Sequence, residues 1–408
     1  MEPLPGVLGG LRLSGKGNFK SVGTPMTQRK GLHAPVTRQC GETNMQKRIF
    51  LVLWLCLLTC ASNSFAAAGL LAPGTASPTP FPGNTVVNVS PGSGTISAAV
   101  NAHGGNTTYM LQNGTFIENN ISVNANHMQF IGSGAPNVLI QASGAGAGIF
   151  NGGGGVDFVQ VWGVTIDLAV GNGSAIGGNF SDLLFQNVHV QNYSSIVLGQ
   201  EDFPVYLFAT GYSPNNLTID SCQFTPASSG NVDGTSVIAT GEYRPDGGNY
   251  TNLTISNNLF DTPTDTGTLY YHCLGSAQQI TGNVFVAPNF TNGQFWYEEA
   301  GSWNGEPGFQ SNASNTSTMT GNTVTLAPNW DFAGVVAHAN GNNDNLVITG
   351  NIIHGSSSTG SVVAVYPGTC PTSGYAITSA IIQNNAIDSG VNLVNQGYTI
   401  GPPLTTSP

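Results

Sequence analysis

Three residues at equivalent points of successive sequence segments could exchange protons with a bound substrate. His272, Glu298 and His338 each lie near the end of a short segment in which residue character alternates. When these segments are aligned by the glycines that follow them, the three residues occupy the same position. A carboxylate flanked by two imidazoles can give and take protons near neutral pH. The pattern predicts a catalytic column in which Glu298 is the acid/base or the principal polar contact.

Aromatic residues precede two members of this column. Tyr270 and Trp296 lie two residues before His272 and Glu298, and in a strand this spacing puts both on the face of the column. A flat aromatic ring suits stacking against a sugar ring. Both residues are therefore predicted to bind a glycan substrate.

Further acidic, basic and aromatic residues complete the predicted site. Glu242 and Glu299 are candidates for the second carboxylate that glycoside hydrolysis usually needs. Arg244 could hold a uronate, or could pair locally with Glu242 or Asp246. Trp303 lies in a loop rich in acids and aromatics, where a wall of a binding cleft is expected.

A purely structural interpretation of the same residues stays open. Outward-facing polar side chains of a repetitive fold are mostly solvated, and Trp296 and Tyr270 could be covered by an external loop. A shift of one residue would move the whole column to the opposite face. His127, His189 and His354 lie in weaker repeats and are assigned ordinary surface or turn roles.

The charge distribution excludes several function classes. Arg244 is the only basic residue after residue 66, where the chain carries eighteen carboxylates and no lysine. A polybasic nucleic-acid surface is thereby excluded, because recognition of the phosphate backbone needs many cations. No cofactor is predicted. Calcium stays open, although no tight Asp cluster with hard-cation spacing is present and no metal ligand is assigned.

A sequence repeat must position these residues. In six copies an apolar residue is followed at +3 by Asn (Cys222 in the first copy) and at +5 by Phe, Val or Ile. Such copies predict stacked coils about 4.8 Å apart. The +5 residues form a predicted internal stack: Phe224, Phe260, Phe285, Val324, Ile353 and Ile387. The +3 residues form a predicted ladder in a tight bend, where Asn tolerates the left-handed conformation: Asn258, Asn283, Asn322, Asn351 and Asn385. Cys222 is predicted to be a buried small residue at the start of that ladder.

These repeats resemble the pectin-lyase-like superfamily. The resemblance begins at Gly94–Ala102, continues through Asn113–Phe116 and Ile131–Gly134, and reaches about Val394. It implies an all-β fold, a right-handed parallel β-helix solenoid with a short N-terminal capping helix. It does not identify one activity, because the arginine motif of pectate lyases and the aspartate motifs of polygalacturonases are absent. A lysine–arginine pair like that of alginate lyases of this fold is also excluded.

The N-terminal segments are predicted to lie outside the folded domain. Residues 1–44 are interpreted as an upstream extension and 45–66 as a secretory signal peptide. A Pro/Ala-rich linker (67–83), the β-helix (84–400) and a tail (401–408) follow. The apolar run of the signal is too short to span a bilayer, so a secreted or cell-surface protein without membrane insertion is expected.

The sequence leaves three functions open. The first is a secreted carbohydrate-active protein that acts on a polysaccharide by carboxylate and histidine acid–base chemistry, as a hydrolase or an atypical lyase. The second is a non-catalytic polysaccharide-binding solenoid, and the third is an adhesive or structural surface protein. The expected partner is a polysaccharide and no nucleic acid is expected. The oligomeric state is left open.

Overall fold

Strands in three parallel ladders make up most of the described chain. The computed structural model describes residues 70, 76–144, 148–171, 173–194, 203–207, 215–227, 237–240, 251–261, 269–271, 278–286, 296–299, 316–325, 334–339, 345–355, 361–366, 379–394 and 404–407. We call the three sets of strands ladders A, B and C, and the described strands after the first coil visit them in that order.

Ladder A contains twelve strands, each paired in parallel with the next. They are β1 (Thr85–Val89), β3 (Thr107–Leu111), β6 (Met128–Ile131), the second part of β8 (Phe150–Trp162), the second part of β10 (Ile176–Gln186), β13 (Asn215–Asp220), β16 (Thr251–Ser256), β19 (Gln278–Thr281), β22 (Thr316–Thr320), β25 (Asn345–Thr349), β28 (Ser379–Gln383) and β31 (Leu404–Ser407). The last of these lies in the segment that the sequence assigned to a tail.

Ladder B contains eleven short parallel strands. They are β2 (Gly92–Ser93), β4 (Gly114–Glu118), β7 (Val138–Ala142), β9 (Thr165–Gly171), β11 (His189–Tyr193), β14 (Gln223–Pro226), β17 (Leu259–Asp261), β20 (Val284–Val286), β23 (Thr323–Thr325), β26 (Ile352–His354) and β29 (Ala386–Ile387).

Ladder C joins ladder A through the long strands β8 and β10, whose first parts belong to it. Its other strands are β5 (Ile121–Val123), β12 (Val205–Leu207), β15 (Ile238–Thr240), β18 (Leu269–Tyr271), β21 (Trp296–Glu299), β24 (Gly334–Ala339), β27 (Ser361–Tyr366) and β30 (Asn392–Val394). Consecutive parallel strands that return to the same ladder after one turn define a parallel β-helix, so the fold expected from the repeats is confirmed.

A helix packs against the first coils. Helix α1 (Thr95–His103) buries Ile96 and Val100. The buried Glu118 accepts hydrogen bonds from the Ile96 amide (2.7 Å) and from the Ser97 hydroxyl (2.7 Å). A carboxylate at this end of a helix satisfies amides that lack a partner within the helix. The capping helix expected from the sequence is therefore present.

The predicted internal stack is confirmed. Phe224, Phe260 and Phe285 are fully buried and paired in register on consecutive strands of ladder B. The rings of Phe224 and Phe260 are parallel within 5°, with centroids 5.2 Å apart. Val324 and Ile353 continue the stack as fully buried residues. Ile387, which ends it, is partly buried.

The predicted asparagine ladder is also confirmed, at the bend between ladders A and B. Each asparagine side chain accepts a hydrogen bond from the backbone amide of the preceding member and donates to a backbone carbonyl one coil earlier; Asn283, for example, accepts from the Asn258 amide (3.0 Å) and donates to the Ile255 carbonyl (2.9 Å). Cys222 stands at the head of the ladder and donates its amide to Asn258 Oδ1 (2.9 Å). Burial raises the pKa of the Cys222 thiol, which fits the predicted buried residue.

One detail of the bend differs from the prediction. The left-handed conformation belongs to the residue before each ladder asparagine, with φ of 54° at Asn257, 66° at Gly282 and 54° at Asn384. The side chain of each ladder asparagine must point inward to reach the neighbouring coil. The left-handed conformation that the turn requires is therefore adopted by the preceding residue.

The described part of the predicted linker contacts ladder A. The Phe81 amide donates to Gln129 Oε1 (2.5 Å), and Gln129 Nε2 donates to the Thr79 carbonyl (3.2 Å). Asn84 Nδ2 donates to the His127 carbonyl (2.9 Å). The predicted signal peptide lies outside the described residues, and no helix within them has the length and apolar character needed to cross a bilayer.

Candidate functional site

Ladder C carries three of the predicted catalytic residues, Glu298, Glu299 and His338, and its earlier strands show which positions face inward. Val205 and Leu207 are buried, whereas Tyr206 between them is partly exposed. Ile238 pairs with Val205 and is also buried. Because side chains alternate along a strand, the positions of Val205 and Leu207 are inner positions and that of Tyr206 is an outer one.

Three tyrosines share the outer register position. Tyr206 pairs with Ala239, Ala239 with Tyr270, and Tyr270 with Tyr297. The same position holds Gly177 one coil earlier and Ala337 one coil later. We call the positions of Tyr206, Tyr270 and Tyr297 the tyrosine face. Its members lie within four consecutive coils, with adjacent strands about 4.8 Å apart.

At Tyr206 the structure shows an aromatic pair. The ring of Phe203 stacks on that of Tyr206, with centroids 5.2 Å apart and an angle of 23° between the planes. Both rings are partly exposed. The pair gives the tyrosine face a flat apolar surface at its N-terminal end.

The strand register pairs two members of the predicted column and does not pair the third with them. Glu298 and His338 are partners in the register of β21 and β24. The partner of Glu298 on the other side is Tyr271 and not His272, which follows β18 and lies outside the described residues. The closing glycine lies four residues after Tyr271 but three residues after Glu298 and His338, so an alignment by these glycines does not reproduce the strand register.

The same shift of one residue changes which face the column occupies. Leu207 pairs with Thr240, Thr240 with Tyr271, and Tyr271 with Glu298. Glu298 therefore has the same register position as Leu207, which is 1% exposed. Trp296 pairs with Leu269 and follows the position of the buried Ile238. The predicted outer column therefore continues an inner column of the first coils.

Glu299 alternates with Glu298 along β21 and so falls on the outer set of positions with Tyr297. Its partner in register is Ala339. Among the predicted site residues, Tyr270 is a member of the tyrosine face by its register, and Glu299 follows Tyr297 by two residues on the same strand. Glu242, Arg244 and Trp303 lie outside the described residues, and the described ones hold no group of three or more His, Cys, Asp or Glu that could bind a metal ion.

The sequence interpretation missed a polar cluster on ladder B. Asp167 is 9% exposed. Its Oδ1 accepts from the Ala169 amide (2.8 Å) and Asn192 Nδ2 (3.0 Å), and its Oδ2 accepts from Gln191 Nε2 (3.1 Å). Ala169 and Asn192 both have positive φ, and the register of β11 shifts after Gln191. The carboxylate therefore holds an irregular bend together, which is a structural role.

His189 belongs to the same surface. Its Nε2 lies 3.2 Å from Thr225 Oγ1, and burial lowers the pKa of the imidazole while the charge of Asp167 partly opposes this. The sequence had assigned His189 to an ordinary surface role. Extending the internal stack backwards through Val190 and Ile166 would have placed Asp167 and Gln191 in one row.

The chain is similar to several solved structures at low sequence identity. The catalytic domain of a GH87 alpha-1,3-glucanase in complex with tetrasaccharides is 14% identical, with a TM-score of 0.44 over 83% of this chain and 70% of that chain. An alginate lyase from Paenibacillus sp. is 10% identical, with a TM-score of 0.30 over 75% and 97%. The A-module of the Azotobacter vinelandii mannuronan C-5 epimerase AlgE6 is 14% identical, with a TM-score of 0.32 over 77% and 92%. No protein-family model and no curated protein matches the sequence. The assignment of the fold therefore rests on the strand register of this chain.

Proposed function

We propose that this protein binds a polysaccharide along the tyrosine face and cleaves it by carboxylate acid–base chemistry. The observation that carries the proposal is the common register of Tyr206, Tyr270 and Tyr297 at the outer position of ladder C. Repeated aromatic residues supply a row of flat apolar surfaces with a polar hydroxyl. A chain of sugar rings is a ligand that repeats in the same way.

Small residues at neighbouring positions of the same column support this assignment. Ala239 lies between Tyr206 and Tyr270 in this register, and Gly177 and Ala337 precede and follow the three tyrosines. Residues with small side chains suit a column along which an extended ligand is proposed to lie. Phe203 widens the apolar surface at Tyr206.

Glu299 is the proposed acid/base. It lies two residues after Tyr297, and this spacing places both on one face of a strand. Glu242 is the proposed second carboxylate, since glycoside hydrolysis usually uses two. Glu298 and His338 occupy positions that continue an inner column, so in this proposal they support the strand and do not contact substrate.

The experiment compares Glu299→Gln with Glu298→Gln by measuring the release of reducing ends from a panel of neutral and acidic polysaccharides. Loss of a general acid/base costs about 10²–10⁴-fold in rate. We expect Glu299→Gln to lose at least 100-fold at unchanged melting temperature, and Glu298→Gln to affect the melting temperature more than the rate. Equal activity of Glu299→Gln and wild type would contradict the assignment.

Binding is tested separately with Tyr206→Ala. Retardation of the protein in gels that contain each polysaccharide is expected to fall in this variant and to persist in Glu299→Gln. If wild type is retarded but releases no reducing ends from any polymer, the non-catalytic polysaccharide-binding solenoid is the correct function. If wild type is not retarded by any polymer, polysaccharide binding itself is refuted.

We also propose that the protein acts outside the cell, after removal of residues 45–66 as a signal peptide. The charged start and short apolar run of this segment support export. Mass spectrometry of the protein from culture supernatant tests it: a mature N-terminus close to Ala67 is expected, and retention of the full chain inside the cell would refute it.

A further inference from the structure

A row of residues at the bend before ladder A has an unusual composition. Successive coils place residues with positive φ at this bend, and neighbouring strand pairs fix their order along the β-helix. We call them the corner row: Asn106, His127, Phe158, Asp182, Asn216 and Asn252.

Phe158 does not suit its backbone conformation. Its φ is 57°, a region that Asn and Asp tolerate but that a bulky side chain rarely adopts. Burial does not account for the choice, because Phe158 is 45% exposed. Asn fits this backbone conformation better than Phe does, and it occupies the same bend at Asn106, Asn216 and Asn252.

The corner row presents rings followed by hydrogen-bonding groups. The rings of His127 and Phe158 are stacked, with centroids 4.7 Å apart and an angle of 17°. Asn216 Nδ2 donates to Asp182 Oδ1 (2.7 Å), and Asn252 Nδ2 donates to Asn216 Oδ1 (3.1 Å). Asn216 and Asn252 are exposed. An exposed aromatic surface beside a carboxylate and amides, spaced at coil intervals, matches the apolar ring faces and hydroxyl edges of a sugar chain.

Charge selects the class of glycan. Asp182 and the neighbouring Asp157 place carboxylates at this bend, and Arg244 is the only basic residue anywhere after residue 66. A polyuronate would meet like charge with no lysine or arginine to offset it. A neutral polysaccharide meets no such repulsion.

We propose that the corner row is a second glycan-binding site, selective for neutral polysaccharides. The site is non-catalytic and does not depend on the tyrosine face, although it shares with the proposed function the premise that the ligand is a polysaccharide. It would hold a polymer at the N-terminal coils.

The test uses Phe158→Asn, because Asn removes the ring while fitting the left-handed conformation. The probes are dextran, xylan and galactomannan as neutral polymers, with alginate and polygalacturonate as acidic ones, in affinity gel electrophoresis and calorimetry. We expect the dissociation constant for at least one neutral polymer to rise about tenfold, which corresponds to about 1.4 kcal/mol. The melting temperature should stay constant or rise. Val86→Thr is the matched control, because Val86 is also an exposed apolar residue (51%).

Each outcome decides the proposal. It stands if Phe158→Asn, or His127→Asn should Phe158→Asn fail to fold, weakens neutral binding while Val86→Thr does not. The proposal is overturned if Phe158→Asn and His127→Asn both bind neutral polymers like wild type, if only acidic polymers bind, or if no polymer binds. Tyr206→Ala separates the two proposals: a loss confined to Tyr206→Ala refutes the corner row and leaves the tyrosine face, and a loss confined to Phe158→Asn does the reverse.

Discussion

Replacing one ladder amide by a carboxylate should destabilise the protein in a strongly pH-dependent way. Asn322 is fully buried. Its Nδ2 donates to Asn351 Oδ1 (2.9 Å), to the Ile280 carbonyl (2.9 Å) and to the Thr320 carbonyl (3.2 Å). In Asn322→Asp an oxygen takes the place of this donor, so it would face three acceptors.

The size of the effect follows from these contacts. At neutral pH the variant buries a negative charge with no positively charged partner, which costs about 3–5 kcal/mol. Its other oxygen can still accept from the Asn283 amide and Nδ2, as Asn322 Oδ1 does now (2.8 and 2.9 Å). Once protonated, the carboxyl can donate one hydrogen bond, and the deficit falls to about 1–2 kcal/mol for the donor bonds still missing.

The sign of the pH dependence is fixed by burial. The folded state disfavours the charged form and raises the pKa of the introduced carboxyl group above its unfolded value of about 3.9. Folding of the variant is therefore least impaired below pH 4 and loses stability relative to wild type as the pH rises.

Urea unfolding of both proteins from pH 3.5 to pH 7.5 measures this difference. Asn384→Asp is the control, because Asn384 precedes a ladder asparagine, is exposed and has a φ of 54° that Asp tolerates. It should change stability by less than about 0.5 kcal/mol. A difference for Asn322→Asp that is below 1 kcal/mol at pH 7, or that is independent of pH, would refute the role given to the ladder.

Two further changes test the core and the surface of ladder B. Phe260→Ala removes a fully buried ring from the internal stack and should cost about 3–5 kcal/mol in urea unfolding; a cost below 1 kcal/mol would contradict its place in the core. His189 has its pKa lowered by burial, so the unfolded chain binds the proton more readily and stability should fall as the pH drops through about 6.5. His189→Gln should lessen that fall in melting temperature between pH 7.5 and 5, and an unchanged profile would count against it.

The sequence predicted the bend between ladders A and B because that bend is chemically specified over a few residues. Ile255, Asn258 and Phe260 lie within one short segment, so no loop intervenes between the residue that starts the bend and the one that ends it. The side-chain amide of Asn258 bridges adjacent coils, and the ring of Phe260 lies in the core. Few other residue types could replace either one. Aligning the repeats therefore gave the correct register of the strands in ladder B.

Ladder C could not be aligned in the same way. Its strands are short, and residues such as Leu269, Tyr270 and Tyr271 are apolar or aromatic on both faces. Alternation of hydrophobicity then fails to distinguish inner from outer positions, and a slip of one residue exchanges them. Backbone pairing with β15 and β21 sets the register, and it pairs Glu298 with Tyr271 and not with His272.

The two proposed binding surfaces lie away from the asparagine ladder, and this separation has a consequence for specificity. The ladder bend satisfies its own buried polar groups coil by coil, so it constrains its residues tightly. The outer positions of ladder C accept glycine, alanine and tyrosine on successive coils, and the corner row accepts Asn, Asp, His and Phe. Changes at these positions leave the bonds of the ladder intact. The fold can therefore be kept while the proposed glycan contacts change, and under both proposals glycan selectivity should respond to substitutions at Tyr206 and Phe158 that stability tolerates.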